Sequence, residues 1–431
     1  MSGSALRSLT VAAKGKGAVN LARRIGTIGS HYGLGPQRMD RRLATIMEIV
    51  ERHGCRATLP ITAAAVQRNP RVVARYAERG IEFAMHGLRH VDHRELGAVE
   101  QIEQFGIARR IFDANGIAVV GFRAPYLRCN DATLHALREN GFDYDSTQAI
   151  DWPVAPEVVT DGYQRALAFY DARSALEHAS LPWIEDGIVR IPCSIPDDEA
   201  AVDRLRLAGP RSIAELWLDV FRATHDRGEL FTLAVHPERI ERCGPAIDAV
   251  LEEARIAVPE VWIARLDEVA GWWRARAEAE IAVRDAGDGW LHVDLRGPRG
   301  LVASARGVEI PGAEVLGDGT VRVGSGGFDL RGAVRPLIAV HPTASEQLSV
   351  FLRAQGFLVE VADRPDGFAR FFDRERFTPE EEGSLLLDLE TDRAPLLRLD
   401  RWPNGARSAL SVTGDVDALT IWDYASRFVG R

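Results

Sequence analysis

Two periods of apolar residues alternate through the first two thirds of the chain. Met39, Leu43, Ile46, Met47 and Val50 lie on one stripe of a predicted helix, and the short apolar runs between such helices are typical of buried strands. The predicted helices are PQRMDRRLATIMEIVERHG, NPRVVARYAERG, AVEQIEQFGIARRIFDANG, NDATLHALRENG and SIAELWLDVFRATHDRG. The predicted strands are CRATLPIT, IEFAMH, AVVGFRAP, FDYDST and ELFTLAVHP. This alternation favours a parallel sheet or an α/β barrel.

The pattern changes at about residue 280. From there to residue 335, glycine-rich turn pairs separate short alternating runs, which predicts a small all-β module. The segments RPLIAVHP, ASEQLSVFLRAQG and FLVEVAD then predict a strand–helix–strand unit. After this unit we interpret TPEEEG as a solvated turn and SLLLDLE as a strand.

The composition is ordinary for a soluble globular protein of two or three domains, with 46% apolar and 27% charged residues in a chain of 431. The net charge of -9 and the lack of a basic block argue against nucleic acid as a partner. Cys55, Cys129, Cys193 and Cys243 are widely spaced, which indicates reduced thiols and not a disulfide framework or a thiolate zinc site. No segment has the pattern of a signal sequence or a membrane span, so we expect a cytoplasmic protein.

The first candidate for chemistry is the segment EFAMHGLRHVDH. It places His86 and His90 four residues apart, directly after a predicted strand. If the segment is helical, both imidazoles lie on one face and can reach one metal ion. His93 is an alternative to His90, although it is seven residues from His86. The chain has 11 histidines, so a chance spacing with only structural roles is the competing interpretation.

Two further candidates also follow predicted strands. In GFRAPYLRCN, Arg123 ends an apolar run and Pro125 restricts the loop that follows. A cation at this place would keep a neighbouring carboxylate ionised. In LFTLAVHPERI, His236 is placed where it could donate a proton near neutral pH. The structural alternatives are a surface ion pair for Arg123 and a capping or core position for His236.

In their order along the chain, these motifs resemble those of polysaccharide deacetylases with a NodB homology domain, which form carbohydrate esterase family four. The resemblance covers roughly residues 35–273 and also includes GFDYDSTQAIDW. It implies an α/β fold, namely a distorted (β/α) barrel of the NodB type. The small β module and the strand–helix–strand unit would be additions to this barrel.

One part of the family pattern is missing from its usual place. The family opens with a strand that ends in an aspartate pair, whereas the segment before Met39 contains no acid. The C-terminal WPNGARSALSVTGDVDALT is similar to this opening strand, with Asp415 and Asp417 as an Asp-x-Asp variant. We therefore hypothesise a circular permutation that returns the last strand to a place beside CRATLPIT. The alternatives are a strand exchanged with a neighbouring subunit and a polar turn without a catalytic role.

On this hypothesis the chain has five parts. They are an N-terminal arm (1–30), a deacetylase-like α/β barrel (31–275), a small β module (276–335), a strand–helix–strand unit (336–395) and a C-terminal segment (396–431) that returns the first barrel strand and the Asp motif. Chain termini often lie close together at a protein surface, which makes such a rearrangement tolerable.

The resemblance also implies roles for the candidate residues. Asp417, His86 and His90 would bind a divalent metal ion, most often Zn²⁺, and Co²⁺ or Ni²⁺ would also suit these ligands. Asp415 would act as the general base, and Arg123 would keep it ionised.

The remaining roles concern the reacting amide. His236 would protonate the leaving amine, and the backbone N–H of Tyr126 would stabilise the oxyanion. Asp151 would orient one of these partners, with Asp145 as an alternative. Asp415 and Asp417 should point to the same side of an extended segment, because side chains alternate along it.

The expected activity is metal-dependent removal of an N-acetyl or other N-acyl group from an amino sugar or a polysaccharide-related substrate. A lipid-linked or nucleotide-linked sugar, or a cytoplasmic glycoside, fits an unexported protein better than an external polymer. One alternative is a cyclic amide or ureide hydrolase of the same fold, similar to allantoinases or imidases. Another is a non-catalytic carbohydrate-binding relative. The sequence is compatible with a homo-oligomer.

Overall fold

A curled, mainly parallel sheet forms the centre of the fold, with helices packed against it. The computed structural model describes residues 31–316 and 319–428. The predicted N-terminal arm, residues 1–30, lies outside the described residues. None of the helices in the described ranges is long and apolar enough to cross a membrane.

The elements alternate through the first part of the chain as the apolar periods predict. The helices are α1 (Gln37–Arg52), α2 (Ala63–Arg68), α3 (Pro70–Glu78), α4 (Ala98–Ala114), α5 (Asp131–Glu139), α6 (Asp161–Tyr170), α7 (Pro210–Arg227), α8 (Ile240–Ile256), α9 (Leu266–Ala277), α10 (Glu346–Ala354), α11 (Glu382–Thr391) and α12 (Ile421–Ser426). The strands of the first part are β1 (Ala57–Ile61), β2 (Glu82–Met85), β3 (Gly121–Phe122), β4 (Tyr144–Asp145), β5 (Ala149–Asp151), β6 (Arg173–Ser174), β7 (Trp183–Glu185), β8 (Ile188–Arg190), β9 (Cys193–Ile195), β10 (Leu230–Ala234) and β11 (Val261–Ile263). The later strands are β12 (Glu280–Gly287), β13 (Trp290–Arg296), β14 (Val302–Arg306), β15 (Val308–Glu309), β16 (Glu314–Val315), β17 (Val321–Gly324), β18 (Gly326–Gly332), β19 (Arg335–Val340), β20 (Val359–Val361), β21 (Phe368–Phe372), β22 (Leu396–Leu399) and β23 (Ser408–Thr413).

The central sheet contains nine strands within the described ranges. Their order is β10-β23-β1-β2-β3-β4-β8-β7, and β11 also pairs with β23. The hairpin of β7 and β8 is antiparallel, whereas the pairs from β10 through β23 and β1 to β8 are parallel. The fold is therefore a distorted α/β barrel of the NodB type, and the predicted fold class is confirmed. A small parallel sheet of β5, β6 and β9 lies beside it.

The last strand of the chain lies in the middle of this sheet. On one side, Leu410 of β23 is opposite Phe231 of β10, and on the other it is opposite Ile263 of β11. Further along, Val412 pairs with Ala57 of β1. The prediction that the C-terminal strand returns beside CRATLPIT is confirmed. The pairing occurs within one chain, so this arrangement needs no exchange of strands between subunits.

The later strands form three further sheets. Two are antiparallel, with the orders β12-β13-β18-β15 and β16-β17-β14-β22, and the third is parallel, with the order β20-β19-β21. The predicted strand–helix–strand unit thus has a third strand, β21, that the sequence analysis did not identify. In addition, β22 pairs with β14 of the β module before the chain continues to the barrel.

The interpretation of SLLLDLE as a strand is wrong. This segment belongs to helix α11, in which Leu385, Leu386 and Leu389 are buried. Their spacing follows the helical period, because Leu389 is four residues after Leu385 and three after Leu386, and such residues are neighbours on a helix surface. TPEEEG contains a 3₁₀ turn, Pro379–Glu381, that leads into this helix.

A second hydrophobic core joins the barrel to the later sheets. Trp402 is fully buried in it, with its ring centroid 5.6 Å from that of Trp273 on α9. The Trp402 indole N–H donates to the Gly228 carbonyl oxygen at 3.0 Å, which satisfies the polar atom of a buried ring. These contacts fix the chain a few residues before β23 begins.

Leu410→Ala should lower the free energy of unfolding by about 2–5 kcal/mol, because Leu410 is fully buried in the central strand and the change leaves a cavity. Denaturant unfolding followed by circular dichroism measures the difference. The matched control is Leu387→Ala on α11, whose side chain is 63% exposed and should cost less than about 0.5 kcal/mol. Equal effects of the two changes would contradict the central position of β23.

Candidate functional site

The candidate residues meet at the carboxyl edge of the central sheet. Met85 at the end of β2 is opposite Phe122 of β3, and Ala234 at the end of β10 is opposite Thr413 of β23. The residues that follow these strand ends therefore lie at one edge, where ligands usually bind in parallel α/β sheets. Each candidate residue follows one of these strands. His86 follows β2, Arg123 follows β3 and His236 follows β10. The two terminal aspartates follow β23.

His86, His90 and Asp417 come together as the metal hypothesis requires. The Oδ1 atom of Asp417 is 3.2 Å from Nε2 of His90 and 3.6 Å from Nε2 of His86. Nδ1 of His86 lies 2.8 Å from the carbonyl oxygen of Arg123, which assigns the ring proton to Nδ1 and leaves the Nε2 lone pair towards Asp417. Oδ1 of Asp417 is buried without a hydrogen-bond partner in the part of the chain that the structure describes. Two imidazoles and one such carboxylate oxygen fit a divalent metal ion.

The electrostatics of His90 also fit a metal ligand. Burial lowers the pKa of His90 to about 4, and this outweighs the opposite influence of Asp417. The imidazole is therefore neutral near pH 7 and has a lone pair to offer. Its ring also packs edge-on to Tyr126, with the centroids 4.5 Å apart.

The HxxxH segment is a loop and not the helix that the spacing argument assumed. The chain turns at Gly87, whose φ of +81° is a left-handed conformation that favours glycine. A Cβ atom at this position would lie 2.9 Å from the carbonyl oxygen of Arg89 and 2.8 Å from a ring atom of His93. The tight turn brings the rings of His86 and His90 to a centroid distance of 5.2 Å.

His93 does not replace His90. It is fully buried, and its ring lies 5.4 Å from the rings of both Phe105 and Phe122. Burial lowers its pKa to about 3, so the ring is a neutral part of the core.

Asp415 is paired with Arg123, as the sequence analysis predicted. Nη1 of the fully buried Arg123 is 2.9 Å from Oδ1 of Asp415 and 2.9 Å from the hydroxyl of Thr413. Nε and Nη2 of Arg123 donate to the carbonyl and hydroxyl oxygens of Ser146, both at 3.0 Å. Burial would raise the pKa of Asp415, but the Arg123 guanidinium and the nearby His86 hold it below its usual value. Asp415 is therefore an ionised carboxylate beside the three candidate ligands.

His236 is oriented by an acid that the sequence analysis missed. Its Nδ1 is 2.7 Å from Oδ1 of Asp198, and its backbone N–H donates to Oδ2 of the same residue at 2.8 Å. Burial would lower the pKa of His236, but the Asp198 carboxylate raises it well above 6.5. The ring is thus protonated near neutral pH, with Nε2 as the nitrogen not bonded to Asp198.

The two acids proposed for the orienting role lie elsewhere. Asp151 accepts a hydrogen bond of 2.5 Å from the Tyr163 hydroxyl. Asp145 is buried 2.9 Å from Nε of Arg190. The orienting role at His236 therefore passes to Asp198. Asp198 lies three residues after the end of strand β9, and Asp415 and Asp417 lie two and four residues after the end of β23. An acid shortly after a strand is therefore a sequence signal that could have identified Asp198.

A second acid lies beside Asp198. Burial and the neighbouring Asp198 raise the pKa of Asp197 to about 7, and Asp197 accepts a hydrogen bond from the backbone N–H of Ala200 at 2.7 Å. Asp197, Asp198 and His236 have potential ligand atoms within 4.8 Å of one another. However, the guanidinium of Arg239 lies 3.6 Å from Asp198 and balances the negative charge of this carboxylate.

Tyr126 lies in a strained part of the FRAPY loop. Its φ of +62° and the +52° of Leu127 are left-handed values that are uncommon outside glycine. Strain of this kind is often found at functional sites. The loop places Tyr126 against His90, next to the candidate metal ligands.

Two more charged side chains lie at the site without a signal in the sequence analysis. Glu238 is buried two residues after His236 and accepts a hydrogen bond from the Tyr32 hydroxyl. Arg427, near the end of the described chain, lies 3.6 Å from Oδ2 of Asp417. Tyr32 and Glu238 are 206 residues apart, so spacing could not reveal their contact. Arg427 is close to Asp417 in sequence, but it belongs to no motif that marked it as a site residue.

A sequence model of the polysaccharide deacetylase family matches residues 29–144. The matched part includes His86, His90 and Arg123 and ends before His236 and the terminal aspartates. Residues 29–144 are therefore similar to a polysaccharide deacetylase domain. The family resemblance read from the motifs is therefore confirmed.

Several solved structures are similar to part of this chain, with TM-scores below 0.5. A Mycobacterium smegmatis protein assigned as a polysaccharide deacetylase is 24% identical, with a TM-score of 0.45 over 63% of this chain and 88% of that chain. A corresponding Pseudomonas aeruginosa PAO1 protein is 20% identical, with a TM-score of 0.43 over 54% and 72%. The Puue allantoinase is 19% identical, with a TM-score of 0.44 over 54% and 72%. None of the curated proteins compared matches the chain.

Asp198→Asn should lower the pKa of His236 from its raised value, because the carboxylate would no longer oppose the lowering of the pKa by burial. The proton on His236 would then be lost as the pH rises through a lower range than in the unmodified protein. An NMR titration of the His236 Cε1–H signal measures this change. Asp203→Asn is the control, since Asp203 is half exposed and pairs with Arg239. An unchanged pKa in Asp198→Asn would contradict the pairing.

Proposed function

We propose that the protein is a metal-dependent amide hydrolase that removes an N-acetyl group from an amino sugar or a polysaccharide-related substrate. The observation that carries this proposal is the meeting of three kinds of group at one sheet edge. These are a set of three metal ligands, a carboxylate held ionised and a histidine held protonated. Metal-dependent hydrolysis of an amide uses all three functions.

The ligand set leaves room for catalysis. His86, His90 and Asp417 would hold the ion, and three protein ligands leave one coordination position open, as is usual in hydrolytic zinc sites. When bound, a divalent metal ion would polarise the acyl carbonyl and make a water molecule more acidic. Nitrogen and carboxylate ligands suit Zn²⁺, and Co²⁺ or Ni²⁺ would also bind.

Asp415 would accept the proton of the attacking water. The proposal is supported by its position two residues before Asp417 and by its ion pair with Arg123. The guanidinium keeps the carboxylate ionised, so that it can act as a base at neutral pH. Because Arg123 also bonds to Ser146, it holds Asp415 in one orientation.

His236 would donate a proton to the leaving amine. Asp198 accepts from Nδ1, which fixes the ring and keeps the second proton on Nε2. The backbone N–H of Tyr126 would stabilise the negative charge that develops on the acyl oxygen. With Asp415 as the base and His236 as the acid, both proton transfers of the hydrolysis would have a group to carry them out.

The chain order further leads us to infer a circular permutation relative to the usual NodB domain. The support is that β23, last in the chain, lies between β10 and β1 and is followed by the aspartate pair. The β module and the strand–helix–strand unit would then connect the old C-terminal end of the domain to its old beginning.

Asp417→Ala should abolish metal binding, whereas Asp415→Asn should keep the metal and lose turnover. The first change removes one of three ligands, and the second leaves all three ligands but removes the base. Elemental analysis of the purified variants and a deacetylation assay measure the two effects. Each variant is the control for the other, and equal metal loss in both would refute the division of roles.

The purified protein should release acetate from N-acetylated amino sugars, and a metal chelator should abolish this activity. A panel of such sugars, assayed with and without added Zn²⁺ or Co²⁺, tests the substrate class. Allantoin and a cyclic imide belong in the same panel. Turnover of these ring substrates without acetate release from any sugar would replace the deacetylase proposal with a cyclic amide hydrolase.

A further inference from the structure

The two carboxylate oxygens of Asp417 have different surroundings. Oδ1 faces the Nε2 atoms of His86 and His90, at 3.6 and 3.2 Å. Oδ2 faces Arg427, whose Nη2 atom is 3.6 Å away. One oxygen is thus turned towards the candidate ligand set and the other towards a guanidinium.

Arg427 is held in place by contacts that do not involve Asp417. Its guanidinium carbon lies 3.8 Å from the ring centroid of Tyr424, and its Nε donates to the Tyr424 carbonyl oxygen at 3.1 Å. The Tyr424 ring in turn packs on Tyr32, with centroids 5.4 Å apart. The side chain of Arg427 is only 7% exposed, and its Nη2 is buried with no hydrogen bond to any of the described residues. A fixed positive charge is therefore directed at the second oxygen of Asp417.

This division affects how Asp417 can bind a metal ion. A carboxylate can bind through one oxygen or through both. If both oxygens of Asp417 bound the ion, the second would occupy the position that must stay open for substrate and water. A guanidinium beside Oδ2 competes for that oxygen.

We propose that Arg427 is a positioning residue that reserves Oδ2 of Asp417, so that only Oδ1 binds the metal and one coordination position remains open. The proposal rests on the proposed function, because it requires metal binding by His86, His90 and Asp417. Arg427 also places a positive charge near the ion, which opposes metal binding. Arg427 would therefore keep one coordination position open and at the same time lower the affinity of the site for the metal ion.

The test uses Co²⁺, whose visible absorption reports its coordination. Metal-free protein and the variant Arg427→Met are titrated with Co²⁺ and followed by visible spectroscopy and calorimetry. We expect Arg427→Met to bind Co²⁺ with an unchanged or lower Kd and to show weaker visible bands, because higher coordination weakens them. Arg427→Lys, which keeps the charge, should restore the bands of the unmodified protein. On a substrate identified by the sugar panel, turnover of Arg427→Met should fall by about 10–100-fold.

The control is Trp422→Ala, a change on helix α12, which ends directly before Arg427, at a side chain that is 57% exposed. It should leave both the spectrum and the Kd unchanged. Unchanged visible bands in Arg427→Met, or a higher Kd, would overturn the role of Arg427 and leave the metal site in place. Lack of Co²⁺ binding by the unmodified protein would overturn the proposed function together with this inference. Far-ultraviolet circular dichroism verifies folding, and Arg427→Ala serves as a second neutral variant.

Discussion

The pairing of β23 with β10 on one side, and with β11 and β1 on the other, is the interaction on which the site depends. It fixes the last strand of the chain in the middle of the central sheet and so delivers Asp415 and Asp417 to the edge where His86 and His236 lie. All six residues of β23 are buried, so burial of the strand in the core supports the placement of the aspartates that follow it. The catalytic proposal and the stability of the barrel therefore share one structural element.

The site also follows a simple electrostatic rule. Three charged groups at the sheet edge are each buried next to an opposite charge, because an unpaired buried charge is costly. Arg123 balances Asp415, Asp198 balances His236, and Arg427 faces Asp417. The first two pairs set the protonation states that the proposed hydrolysis requires. The third leaves one carboxylate oxygen directed at the histidines, where a metal ion would bind.

Much of this arrangement could be predicted from local patterns. Apolar periodicity is a local property, so it gave the strand–helix alternation of the barrel, the helix from Gln37 and the β module. It failed at SLLLDLE, where a short apolar run fits both periods and burial of Leu385 and Leu389 on one helix face decides the outcome. The four-residue spacing of His86 and His90 suggested a helix, whereas a left-handed turn at Gly87 brings the two histidines together.

Residue type and order were enough to identify His86, His90, Arg123, His236 and the terminal aspartates as candidates, because each follows an apolar strand and has side-chain chemistry suited to hydrolysis. The partners of these residues depended on the folded chain. Asp198 was not chosen as the partner of His236, because the two residues are 38 positions apart in the chain. Arg427 was not identified, because no local pattern marks it as a partner of Asp417. The local sequence predicts which side chains can take part in chemistry. Which of them lie close together depends on how the strands and helices pack, and this packing forms only when the whole chain folds.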